Sequence, residues 1–137
     1  MSVHDAHLLQ LPHFQDDRGA LSFVEGELHV PFSIRRVYYL YDVQAGESRG
    51  GHAHKQLQQL MIPLAGAFTV ELDDGVEKRS FRLERPSQGL YVPRGLWRDL
   101  REFTPGAVCL VLASLPYSEE DYYRDYDEYL SAVREKA

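Results

Sequence analysis

The sequence is short of several things, and each shortage removes a class of protein. Of its 137 residues one is cysteine, Cys109, so no disulfide closes within the chain. That thiol lies in the apolar run Ala107-Val-Cys-Leu-Val-Leu112, where a cysteine reads as a small buried hydrophobe rather than a nucleophile. No apolar run approaches the roughly 20 residues that span a bilayer. The N-terminus, Met1-Ser-Val-His-Asp-Ala-His7, lacks the basic segment and apolar segment of a secretory signal. A cytoplasmic protein without membrane contact is expected. Positive charge is in deficit: 15 Lys and Arg face 21 Asp and Glu, a net charge of -6. That balance argues against a nucleic-acid binder. Helical periodicity is absent until the C-terminal end.

What is present describes one folded domain over residues 1–137, with 44% hydrophobic and 26% charged residues, a globular composition. Short β-like runs alternate with turn signals. Residues 7–14 read as a strand broken by Pro12, Gln15 to Gly19 as a turn, and 20–25 as a second strand. Ile34-Arg-Arg-Val-Tyr-Tyr-Leu-Tyr41 is a strong strand by its β-branched and aromatic content. Gln44 to Gly51 reads as a glycine-rich loop, Gln56 to Leu64 as a strand, and Phe68 to Leu72 as a strand turning at Asp73-Asp-Gly75 into 76–83. Leu90-Tyr-Val92 leads into Pro93-Arg-Gly-Leu-Trp-Arg98, and 107–113 is a buried strand. Many short strands with turns between them predict a β-barrel or sandwich. Ser118 suits a helix N-cap, with Asp121 three residues on. Tyr122, Tyr126, Tyr129, Leu130 and Val133 then share one helical face as packing residues.

The chemistry gathers around Arg49-Gly-Gly-His-Ala-His-Lys55. On a strand, His52 and His54 point to the same side. Such a pair suits proton transfer near neutral pH or a metal. The arginines Arg35, Arg36, Arg49, Arg94 and Arg98 stand out on an acidic chain. Guanidinium forks match phosphate oxygens, and a diphosphate is a fitting ligand for part of this set.

The spacing of Gly46, His52, His54, Gln59 and Gly66 fits the first motif of cupin barrels, with Gln in place of a ligand Glu. Pro93, Gly95 and Arg98 fall at the Pro, Gly and His positions of the second motif. The chain thus resembles a cupin, an all-β double-stranded β-helix or jelly-roll barrel, here with a short C-terminal α-helix. Two of the four cupin metal ligands are replaced, and a guanidinium has no lone pair for a cation. No metal and no cofactor are expected.

More narrowly, the chain resembles the metal-free sugar nucleotide 3,4-ketoisomerases that act on dTDP-4-keto-6-deoxyglucose. The resemblance rests on Asp17-Arg-Gly19, Pro31-Phe-Ser-Ile-Arg-Arg-Val-Tyr-Tyr39, the histidine run, Leu72-Asp-Asp-Gly75, Gly89-Leu-Tyr-Val92, Trp97-Arg98, Val111-Leu-Ala-Ser114 and Tyr117-Ser-Glu-Glu-Asp-Tyr122. It implies an isomerase of deoxyamino-sugar biosynthesis for polysaccharide or antibiotic glycosylation. It also implies a homodimer with exchanged N-terminal strands and a dTDP-linked keto-deoxy sugar as partner. Carried over by position, it makes His52, His54, Tyr38 and Arg98 catalytic. Arg18, Arg36, Arg49, Lys55, Gln59 and Trp97 are the expected substrate-binding residues. Family members pair Arg before the early glycine with His after the tryptophan, or Tyr with Arg, and the two patterns go with opposite C4 configuration. This chain carries Arg18 and Arg98, one from each.

The implied reaction needs a base at C3, an enediolate and an acid at C4. His52 is the expected base, with His54 as relay, orienting group or acid. A 3,5-epimerase of the same sugar, a metal-dependent cupin and a non-catalytic sugar-nucleotide-binding cupin are the competing readings.

Overall fold

Alternating apolar side chains build two antiparallel five-stranded sheets. The structure is a computed structural model and describes residues 1–136. One sheet contains β1 (His7–Gln10), β4 (Arg36–Leu40), β6 (Gln59–Ala65), β9 (Gln88–Val92) and β11 (Val108–Ala113), in the order β1-β9-β6-β11-β4. The other contains β5 (Arg49–His54), β7 (Phe68–Asp73), β8 (Lys78–Leu83), β10 (Trp97–Arg101) and β12 (Tyr122–Tyr123), in the order β12-β5-β10-β7-β8. A separate hairpin joins β2 (His13–Asp16) to β3 (Gly19–Ser22). The chain ends in α1 (Tyr126–Lys136). This is an all-β jelly-roll with one C-terminal helix, as the resemblance to the cupins implies.

The core lies between the sheets. Met61, Leu90, Val92, Cys109 and Val111 of one sheet pack against Phe68, Val70, Leu72, Phe81, Leu83 and Leu100 of the other. Each such side chain, withdrawn from water, contributes about 1.5–3 kcal/mol. The strand β6 is covered on both sides. Met61 faces the core, while Leu60 and Ile62 meet Leu11, Val30 and Phe32 of the N-terminal segment. Its unbroken apolar run reflects that double burial. The outer side of the second sheet is closed by α1, whose buried Tyr129 packs with Trp97 and Ala53.

Several boundaries differ from those the sequence suggests. The second early strand stops at Ser22. The three residues Arg49 to Gly51 belong to β5 rather than to a loop, and Trp97 to Arg101 form a strand of their own. The helix starts at Tyr126, not after Ser118. Ser118 precedes only a single 3-10 turn, Glu119–Asp121, and its hydroxyl caps nothing. Tyr122 and Tyr123 are strand residues paired with His54 and Ala53. Sheet pairing has overridden local helical periodicity there.

Candidate active site

Register brings the chemistry-bearing side chains together. Arg98 of β10 is paired with His52 of β5 on one side and Leu72 of β7 on the other. The three therefore share the inner face of one sheet. On the facing sheet, Val111 is paired with Tyr38 and Met61, and Ala113 with Arg36 and Gln59. Alternation along β4 turns Arg36, Tyr38 and Leu40 inward. Close approach of β5 to β10 depends on Gly50, which has φ +90°. A Cβ there would sit 2.9 Å from the Arg98 carbonyl oxygen.

The result is a cavity of about 490 Å³ whose walls include Arg36, Tyr38, Arg49, His52, Met61, Arg98, Leu100, Tyr117, Tyr122 and Arg124. Four of its lining residues are arginines and none is a carboxylate, inside a protein of net charge -6. An anion is the ligand such walls select.

Arg98 is the central charge, 1% exposed. One guanidinium nitrogen donates to Gln59 Oε1 and another to the Leu96 carbonyl at 3.0 Å. Its Nε has no partner among the described residues. No carboxylate among the described residues lies within ion-pair distance of it. Burial lowers its pKa to about 10, so it stays cationic at neutral pH. A buried cation without a counter-charge is costly unless a ligand supplies the negative partner. Gln59 passes the contact on: its Nε2 donates to Tyr38 Oη at 2.8 Å. Burial raises the Tyr38 pKa, with Arg98 pulling the other way, so the phenol keeps its proton.

The two imidazoles stand edge to face, 4.9 Å apart at 86°, and the Tyr122 ring closes on both, 4.3 Å from His54 and 4.9 Å from His52. His52 lines the cavity; His54 lies behind it, buried. Burial, and then the charge of Arg98, depress the His52 pKa to about 4 and that of His54 to about 2. Both are neutral at pH 7. The 3.2 Å contact between His54 Nδ1 and the Asp121 carboxylate is therefore a hydrogen bond from a neutral ring, not an ion pair. A carboxylate only accepts, so Nδ1 carries the hydrogen and Nε2 keeps its lone pair. That Nε2 is buried and unpartnered. Asp121 also accepts from the backbone N–H groups of Gln56 at 2.8 Å and Leu57 at 3.2 Å.

A family model described as "FdtA: WxcM-like, C-terminal" matches residues 4–134. This chain belongs to the FdtA family. A TDP-4-oxo-6-deoxy-alpha-D-glucose-3,4-oxoisomerase of Aneurinibacillus thermoaerophilus is 44% identical to it over 114 residues, 83% of this chain and 82% of the relative. Among solved structures, a mutant 3,4-ketoisomerase of Thermoanaerobacterium thermosaccharolyticum, in complex with TDP-4-keto-6-deoxyglucose, is 37% identical. It aligns over 98% of both chains with a TM-score of 0.95. A 3,4-ketoisomerase of Helicobacter canadensis is 42% identical over 95% of this chain and 98% of its own, with a TM-score of 0.92.

In this FdtA member the cavity unites Tyr38, His52, Arg98, Arg36 and Arg49, with Gln59 and His54 directly behind its wall. Five other residues singled out from the sequence lie elsewhere. Trp97 points to the outer face of its sheet, where its ring meets Tyr126 and Tyr129. Lys55 is exposed, its ammonium 5.0 Å from the Tyr123 ring. Arg18 sits at the hairpin turn with its side chain 90% exposed, bound to Asp16 at 2.7 Å. Arg35 and Arg94 are exposed and do not line the cavity.

Sequence reasoning placed Asp121 at a helix N-terminus and Tyr122 on a helical packing face, and gave neither of them, nor Tyr117 or Arg124, a place in the site. The FdtA-like run from Tyr117 to Tyr122 was a signal for them, masked by the helical spacing of the tyrosines. Arg124 stacks 4.0 Å from the Tyr122 ring and is bound to Glu119, which also accepts from the Tyr117 hydroxyl.

The site does not suit the metal that many cupins hold. Among the described residues no three His, Cys, Asp or Glu side chains cluster as ligands. The Gln59 oxygen already accepts from Arg98, and a guanidinium beside the histidines repels a divalent ion.

Proposed function

We propose that this chain is a 3,4-ketoisomerase of TDP-4-keto-6-deoxyglucose, moving the carbonyl from C4 to C3 without a metal, for the synthesis of a deoxyamino sugar. The observation that carries the reading is Arg98. It is a buried, uncompensated cation beside a neutral, cavity-lining histidine, in a chain so similar to ketoisomerases of this sugar.

The C4 ketone acidifies the C3 hydrogen. Neutral His52 removes that proton, and the electron pair moves to O4, giving an enediolate. The proton on O3 passes to O4 or to a nearby base, C4 takes a proton, and the carbonyl re-forms at C3. Each proton transfer by a positioned group contributes roughly 10²–10⁴-fold. The low pKa of His52 keeps it unprotonated, and negative charge developing on the sugar raises its proton affinity at the step where it is needed. Arg98 stabilises the oxyanion from within a dry site, where fixed charge is most effective. His54, its tautomer held by Asp121, orients or relays. Arg36 and Arg49 grip the diphosphate.

The active form in this reading is a dimer with exchanged N-terminal strands. Every residue of β2 and β3 is exposed in the single chain. Val37 and Tyr39 on the edge strand β4 are more than half exposed, and edges of this kind favour pairing or cover. Exchange would carry Arg18 toward a partner's cavity, where its combination with Arg98 selects the face of protonation at C4.

The test is incubation with TDP-4-keto-6-deoxyglucose in D2O after EDTA treatment, followed by proton NMR. A 3-keto sugar with deuterium at C4 is expected. Inverted C3 and C5 centres with the carbonyl still at C4 would make the protein an epimerase, and TDP binding without any exchange would make it a binding protein. His52→Asn and His54→Asn are each expected to stop turnover while leaving TDP affinity nearly unchanged.

A further inference from the structure

Gln59 is, with Arg98, one of the two residues where this chain departs from the metal-binding cupin pattern, and its surroundings give it a definite polarity. The side chain is fully buried, at 0% exposure, so water cannot satisfy its amide. A primary amide has one accepting end and one donating end. Arg98 can only donate, so the Oε1 end must face Arg98, and the opposite orientation would set N–H against N–H. The Nε2 end then faces Tyr38 and donates to its Oη at 2.8 Å. One phenol lone pair is thereby taken by a donor, and Tyr38's own hydrogen is turned away from Gln59. Tyr38 has no other hydrogen-bond partner among the described residues and lines the cavity.

From this geometry we infer that Gln59 is a positioning residue that makes Tyr38 an obligate hydrogen-bond donor to the bound sugar. Arg98 sets the amide, the amide sets the phenol, and the phenol presents its O–H to the oxygen that gains charge in the enediolate. The glutamate that metal-binding cupins carry at this position would reverse this polarity. A carboxylate accepts from both neighbours, so Tyr38 would donate back into the wall and leave only a lone pair toward the sugar. On this account Gln59 does more than omit a ligand. Burial raises the Tyr38 pKa, while Arg98 and the bond donated by Gln59 lower it, and the net raise leaves the phenol its proton to donate. The inference rests on the ketoisomerase reading for its substrate, but the polarity of the Arg98–Gln59–Tyr38 chain can be tested without one.

The experiment compares wild type with Gln59→Glu, Gln59→Met and Tyr38→Phe, using protein labelled with ¹³C at tyrosine Cζ. The Tyr38 resonance is assigned by its loss in Tyr38→Phe. A pH titration in the absence of substrate should show Tyr38 ionising at higher pH in Gln59→Glu than in wild type, because the phenol now donates to a carboxylate. An unchanged Tyr38 titration overturns the inference whatever the enzyme does. With the sugar nucleotide, Tyr38→Phe should lower kcat about 10²-fold or more, the scale for losing one oxyanion donor, with TDP affinity held within about twofold. Gln59→Glu should cost kcat more than Gln59→Met. Glutamate captures the phenol proton, whereas methionine, of similar volume, only releases the phenol. A merely structural role predicts the opposite order, because methionine leaves Arg98 unpaired in the core. Adding Gln59→Glu to Tyr38→Phe should cause little further loss, and an undiminished second loss would overturn the coupling.

Discussion

Asp121→Asn changes one atom and tests how the histidine behind the cavity wall is held. The wild-type carboxylate accepts three hydrogen bonds. The Gln56 N–H reaches one oxygen at 2.8 Å, while the Leu57 N–H and His54 Nδ1 reach the other, both at 3.2 Å. Asparagine has a single accepting oxygen. If it stays on Gln56, the amide NH2 faces the Leu57 N–H and the His54 ring. His54 must then move its hydrogen to Nε2, which is buried without an acceptor. If the amide flips, its NH2 opposes the Gln56 N–H. The flipped orientation leaves only the exposed Gln56 N–H without its acceptor, where water can replace it, whereas the first leaves the buried Leu57 N–H unpaired, at about 1–3 kcal/mol. For a chain of this size that lowers Tm by on the order of 5–10 °C. Thermal unfolding gives the stability, and long-range proton–nitrogen NMR gives the tautomer. The flipped form keeps both buried bonds and is the expected one, with Tm little changed, His54 still in the Nδ1–H form and TDP affinity retained, while a switch to the Nε2–H form should come with the lowered Tm. A switch to the Nε2–H form without a lowered Tm would refute the reasoning, since the buried Leu57 N–H would then have lost its acceptor at no cost.

Three further outcomes follow from the same geometry. Gly50→Ala should disrupt the β5–β10 pairing, because its Cβ would lie 2.9 Å from a backbone oxygen at φ +90°. Loss of amide-exchange protection along β5, with β7–β8 protection retained, is the check. Cys109 is fully buried, and burial alone pushes its thiol up to about 12. The native protein should therefore resist alkylation at pH 8 and react only on unfolding, and rapid native labelling would contradict the packing. The depressed pKa of His52 makes stability pH-dependent with a defined sign. Between about 4 and the unfolded value of 6.5 the unfolded chain binds more protons at this residue, so its share of stability is present at neutral pH and lost as pH falls through that window. In His52→Asn the acid-side loss of stability should be shallower than in wild type, and identical profiles would remove His52 as a source of it.

What was legible in the sequence was whatever a strand's two-residue period or a contiguous motif carries. His52 and His54 lie on one strand, so their shared face followed from spacing alone, and β4 delivered Tyr38 inward by the same rule. Gln59 and Arg98 could be read as departures from a ligand pattern. Their contact with each other, 39 residues apart and between the two sheets, could not, because register across a barrel is set by pairings far away in the chain. The segment from Tyr117 to Arg124 was misread for a related reason. Tyr122, Tyr126 and Tyr129 satisfy a helical period, yet Lys55 donates its N–H to the Asp121 carbonyl at 2.8 Å and Tyr122 is paired with His54. A two-residue strand bonded to a sheet edge leaves almost no periodic trace, while the helix that follows it leaves a clear one. The residues so hidden are those that close the cavity over the histidines, and their role depends on where β5 ends rather than on their own spacing. Arg18 is the complementary case. Its position beside the early glycine is plain in the sequence, but within one chain the hairpin holds it against solvent. In the proposed dimer its part in the chemistry would turn on a second copy, so the oligomeric state of an Arg18-bearing hairpin is as much a question about the active site as about assembly.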